Sequence, residues 1–308
     1  MSAGGGGKAI IAALGANVAI ALAKTVGAIV TGSSSMAAEA VHSFADSGNQ
    51  VLLLVGGKRA RREADELHPF GHGAERYFFS FVVALVIFSL GALFATYEGI
   101  HKILHPGELE TPSVAIAILV FAIVAESFSF RTAIKESQGL KGSQSWTSFI
   151  RHAKEPELPV VLLEDLAALI GLILALLGVT LTLATDDGTW DGIGTLSIGL
   201  LLGAVAVVLG VEMKSLLIGE SASRTSVAAI AGALVDGTTV LRVIHLKTMH
   251  LGPDELLVAA KIAVEPSLGL PEVARAIDAA EVRVRAAEPL AVQMYLEPDL
   301  DRGISPSP

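Results

Sequence analysis

SMAAEAVHSFADSGNQVLLLVGG, residues 35–57, is long enough to cross a bilayer, yet it carries Glu39, His42, Asp46 and Asn49 among small and apolar residues. At ~100° per residue, His42 and Asp46 sit one turn apart on one helix face, with Glu39 and Asn49 close to that stripe. A carboxylate and an imidazole are expensive at membrane depth. They read as an ion or proton site, or as a polar contact between helices. The i, i+4 spacing of His and Asp is also a metal-ligand spacing.

The surrounding sequence supplies the membrane part. The chain is 52% hydrophobic and 17% charged, with a mean hydropathy of +0.61, too apolar for an ordinary soluble enzyme. Ala, Gly, Val and Leu carry the apolar content, and small residues let helices approach closely in lipid. There is no cysteine, so disulfides and thiolate metal sites are excluded; a transition metal would need His, Asp, Glu or backbone oxygens. A net charge of −9 argues against a nucleic-acid partner.

Six apolar segments of spanning length are expected, at about 9–31, 35–57, 77–100, 113–130, 158–184 and 193–217. The N-terminal run lacks a clear cleavage site and reads as a first span, not a signal peptide. Lys8, the cluster at 58–62, the group from Arg131 to Lys154, and Lys214 fall on one side. Lys102, Glu108, Glu110, Asp186, Asp187 and Asp191 fall on the other. The positive-inside rule then makes both termini cytoplasmic. With no transit peptide in an Ala- and Gly-rich chain, the expected location is the cell inner membrane of a bacterium.

After Glu220 the pattern changes. A helix at 226–236, strands at 240–249 and 256–264, a helix at 270–285, a strand at 290–296 and a frayed tail give the order αββαβ. The fold class is thus an α-helical polytopic membrane protein of six spans with a C-terminal α+β, ferredoxin-like cytoplasmic domain. The domains are 1–220 for transport and 221–308 for the α+β layer.

Two other stretches hold candidate chemistry. VVLLEDLAALIG, residues 160–171, opens the fifth span with Glu164 and Asp165. If that span packs on the second, Asp165 completes a site with His42 and Asp46, whereas Glu164 reads as an interfacial carboxylate. In the loop after the second span, Asp65, His68 and His72 are spaced i, i+3, i+7, with Glu75 three further on. That loop is either simply solvated or a compact Zn²⁺ site completed by water. Lys24 reads as a snorkelling residue, and Glu98 and Glu126 as interfacial. No HExxH, GxSxG or Gly-rich phosphate loop points to an enzyme.

GSSSMAAEAVHSFADSGNQ, HPFGHGAERY and LLIGE followed by the α+β tail resemble the cation diffusion facilitator family, and within it the zinc transporter nine-like branch. The resemblance covers about residues 9–300. It implies a homodimer, held partly through the C-terminal domain, that exports a divalent metal across the lipid bilayer in exchange for protons. The family's transport site takes two ligands one turn apart from each of spans two and five. His42 and Asp46 match the first pair and Asp165 half of the second; its partner position is Val161, which cannot ligate. Glu164, water or a backbone group is then left to replace it. Asp65, His68 and His72 match a second metal site of some bacterial members. Tyr295, in MYLEP, stands where many members have a sensing His.

The expected function is proton-coupled antiport of Zn²⁺. An imidazole with pKa near ~6.5 can trade a proton for a metal, and His with carboxylates suits zinc. An Fe²⁺, Mn²⁺ or Co²⁺ carrier and a non-transporting metal sensor or partner protein are the rival readings.

Overall fold

The structure, a computed structural model, describes residues 6–107, 109 and 111–301. Glu108, Glu110, the tail at 302–308 and the side chains of Lys8 and Asn17 lie outside the described residues. Ten α-helices and three strands are described: α1 (Gly6–Thr31), α2 (Ser34–Ala60), α3 (Glu75–Val82), α4 (Phe88–Leu104), α5 (Pro112–Lys141), α6 (Trp146–His152), α7 (Glu157–Thr185), α8 (Thr189–Ile218), α9 (Arg224–Leu234), β1 (Val240–Gly252), β2 (Glu255–Val264), α10 (Leu270–Ala287) and β3 (Gln293–Asp299). A π-helical turn, Val83–Ile87, joins α3 to α4. The chain divides into two compact units. The first takes in residues up to Gly57 and Phe78–Lys214; the second is Lys58–Tyr77 with the chain from Ser215 onward.

Four stretches among the described residues are long and apolar enough to cross a membrane: Glu75–Leu104, Pro112–Gly139, Glu157–Thr185 and Thr189–Ile218. The fourth expected span is longer than read. Its helix starts at Pro112, whose missing N–H suits a first turn, and runs to a left-handed Gly142. The stretch read as a polar connection contains α6, whose first turn is capped by the Ser145 hydroxyl accepting from the Ser148 N–H. α4 and α8 meet through glycines; a Cβ on Gly99 or Gly199 would strike the backbone of Leu196 or Thr96.

Asp191 corrects the sequence reading of an acidic outer turn. It is fully buried on the first turn of α8 and its carboxylate caps α2. It accepts from the Ser34 N–H at 2.7 Å, the Ser33 hydroxyl at 2.8 Å and the Ser34 hydroxyl at 3.0 Å, and also from the Ser35 hydroxyl. The uncharged turn TGSSS is therefore an anion-binding helix start whose anion comes from the chain itself. Thr182, on α7, accepts from the Asp191 N–H and ties the third helix into the same knot.

In the second unit, β2 is the central strand, antiparallel to β1 and parallel to β3. Alternate β2 residues, Leu256, Val258, Ala260, Ile262 and Val264, are buried against Ile230 and Leu234 of α9 and Ala276, Ala280 and Val284 of α10. The opposite face carries His245, Ala259 and Tyr295.

Asp191→Ala leaves up to five donors at the head of α2 without their acceptor. It is expected to lower stability by about 2–4 kcal/mol, read from denaturant unfolding in detergent micelles.

Candidate functional site

The polar positions of α2 form a ladder. Glu39, Ser43, Asp46 and Gln50 follow one another at helical spacing, and the last three line an interior cavity of about 30 Å³. That leaves room for a water or an ion. The other walls are Ile20 of α1, Glu126 and Ser129 of α5, and Glu164 and Asp165 of α7. Asp46, Glu164 and Asp165, singled out in the sequence, are thus brought together. Asp165 accepts from the Ser129 hydroxyl at 2.9 Å, and Asn49 is buried beside Glu164. His42 is buried one turn from Asp46, with Nδ1 3.5 Å from its carboxylate, behind the cavity wall.

Three readings of single residues change. Glu164 is not interfacial: it is 5% exposed and faces the cavity. Glu126, read as interfacial, is half-buried and supplies a fourth carboxylate. Lys24 does not snorkel. It is 2% exposed, pairs with the fully buried Glu39 at 3.1 Å and donates to the Ser43 hydroxyl at 2.7 Å. Glu126 was missed because span position alone does not give the direction of a side chain. The signal was its presence in an otherwise apolar run, with Ser129 one turn on.

The second unit holds the other cluster. Asp65, His68 and His72 bring one ligand atom each within 4.8 Å of the others, the one such group of three or more among the described residues. Asp65 organises it. One carboxylate oxygen accepts from the Leu67 and His68 N–H groups at 3.0 and 2.7 Å and lies 3.1 Å from His68 Nδ1; the other lies 3.1 Å from His72 Nε2. Those hydrogen bonds, the backbone N–H of His68 foremost, hold the Asp65 carboxyl at about 2, well below its usual range. The Asp65 carboxylate is therefore ionised at any physiological pH. Gly71, at φ +83°, turns the chain so that His72 folds back toward Asp65.

The loop is fastened to the β1–β2 hairpin of the same unit. Arg76 pairs with Asp254 at 2.9 Å, and the Phe70 ring meets Tyr295 edge-on with centroids 6.4 Å apart. Gly73 and Gly252 touch backbone to backbone; a Cβ on Gly252 would stand 2.8 Å from Gly73 Cα.

Apolar helices closed around carboxylates, a lysine and an imidazole are the pattern that, in membrane proteins, marks an ion or proton site by default. The chain belongs to the cation diffusion facilitator, or cation efflux, family: residues 10–218 match the cation efflux transmembrane domain. It is 34% identical over 262 residues to the mitochondrial proton-coupled zinc antiporter SLC30A9 of Xenopus laevis, covering 84% of this chain and 46% of that one. Identity to the same antiporter of Homo sapiens is 31% over 261 residues, with the same two coverages. To metal tolerance protein C4 of Arabidopsis thaliana it is 29% over 227 residues, 73% of this chain and 50% of the relative. The chain spans about half the length of these curated relatives. The resemblance read from the motifs is borne out. The expectation of a bacterial inner membrane is not: the animal relatives are mitochondrial proteins, and what stands is a multi-pass membrane protein.

Gly252→Ala is expected to push the loop off the hairpin at a cost of about 1–2 kcal/mol, raising tryptic cleavage at Arg61 and Arg62 roughly 5–30-fold in limited proteolysis.

Proposed function

We propose that this chain is a proton-coupled antiporter of divalent metal, with Zn²⁺ as its cargo and His42, Asp46 and Asp165 as its transport ligands. The observation that carries the reading is the convergence of Asp46, Asp165, Glu164 and Glu126 on one small cavity in a helix bundle, with His42 against Asp46. A hard or borderline cation is the occupant that offsets such a set of carboxylates. The names of the SLC30A9 relatives support zinc and proton coupling. The gap at Val161 is filled by carboxylates already on the cavity wall, Glu164 of α7 and Glu126 of α5. That favours a carrier over a sensor that has lost its site.

Six spans are proposed, formed by α1, α2, α3 with α4, α5, α7 and α8, with the αββαβ unit as a ferredoxin-like layer that holds a homodimer. Asp65, His68 and His72 are proposed as a second zinc site, held in the second unit. The proposed cycle is alternating access. Metal enters the cavity and displaces protons; after rearrangement, protons on the far side displace metal.

Zinc flux into proteoliposomes, followed with an internal pH dye, tests this. Wild type is expected to move zinc with proton counterflow, and Asp165→Ala or Asp46→Ala to reduce both to background. Asp46→Ala with normal flux rules out the assignment; Fe²⁺ or Mn²⁺ carried in preference to zinc changes the cargo.

A further inference from the structure

We propose that Lys24 is a tethered cation of the transport site: its ammonium competes with the metal for the cavity's negative charge and so keeps binding weak enough for release. The inference rests on the transport reading above.

Lys24 lies in an apolar stretch of α1, yet it is 2% exposed. Its Nζ donates to Ser43, and Ser43 is itself a wall of the cavity, one turn from Asp46. The ammonium therefore stands one side chain away from the metal position. It sits on the side of Asp46 that faces the Ser34 end of α2, between the first two rungs of the ladder. His42, Asp46 and Glu126 all lie within its field.

A mere clamp between α1 and α2 does not need this pair. Two desolvated charges hold helices together no better than a packed apolar pair, and the contact here is incompletely satisfied. Glu39 uses one oxygen for Lys24; the other is buried with no hydrogen-bond partner among the described residues. A positive charge one side chain from the cavity, with Asp46 and Glu126 in its field, has a different use. Without it, carboxylates in low dielectric would hold a dication too firmly to let it go. Transport needs binding strong enough for entry and weak enough for exit. A lysine fixed to the protein supplies the opposing charge without leaving.

The test measures zinc flux against zinc concentration in proteoliposomes for wild type, Lys24→Met, Lys24→Arg, Glu39→Gln and the double variant Lys24→Met/Glu39→Gln. Lys24→Met is expected to lower KM for zinc about tenfold and to slow turnover by a similar factor, a split that simple loss of packing does not produce. Lys24→Arg keeps wild-type values. The double variant keeps a KM about threefold below wild type, since the nearer charge is still missing. Glu39→Gln leaves the ammonium unopposed and raises KM about threefold, less than the Lys24 effect because Glu39 does not line the cavity. It decides the matter if Lys24→Met does not fold: an unchanged or lower KM there overturns the proposal. So does wild-type KM in folded Lys24→Met, or a double variant with wild-type KM and turnover, which marks a clamp. A wild type that moves no zinc overturns the transport reading and this proposal with it. Wild-type flux with unaltered variants overturns this proposal alone.

Discussion

Charge inside an apolar bundle is the constraint that orders this protein. An ionised group in low dielectric is tolerated only when paired, hydrogen-bonded or loaded with a counter-ion. Each buried charge described here meets that demand differently. Asp191 is surrounded by serine hydroxyls and the first N–H groups of α2. Glu39 has Lys24. Asp165 has one hydroxyl, from Ser129, and otherwise faces the cavity with Asp46, Glu126 and Glu164. Asp191 is satisfied by the fold, and Glu39 through one of its two oxygens. The cavity set is the remainder, the carboxylates that the proposed cation would offset.

The two anionic devices also divide the labour on α2. At its head, Asp191 fixes where the helix begins and, through Thr182, where α7 and α8 stand relative to it. Further along, the rungs from Glu39 to Gln50 are placed by that fixed start, because helical spacing then sets the direction of every later side chain. The loop cluster obeys other rules. It is exposed at Asp65 and His68, closed only at His72, and shaped by backbone N–H groups and a left-handed glycine instead of by desolvation.

Much of this was legible in the sequence. The His42–Asp46 spacing, the short Asp65, His68, His72 run and the αββαβ order depend on periodicity and turn residues, which are local. The strand and helix boundaries of the second unit fall within a few residues of the reading. What escaped was the partner of each buried charge. Lys24 and Glu39 are fifteen residues apart, and Asp191 is 157 from Ser34, so their pairing exists only once the helices are packed. Glu126 looked like an interface residue for the same reason. Nothing along α5 says which neighbour it faces. The fixed point that the sequence does offer is the oddity itself, a charge in an apolar run.

One contact between α2 and α7 reaches further. The second oxygen of Glu39 lies against Gly171, where any side chain would collide with it. Between the two helices that carry His42, Asp46, Glu164 and Asp165, the glutamate carboxylate thus occupies the room that a Cβ at 171 would take. An alanine at 171 must displace the Glu39 carboxylate, and a displaced carboxylate draws the lysine of α1 with it. Positions 24, 39 and 171 are thus coupled mechanically across three helices, so that a change at one is felt at the other two.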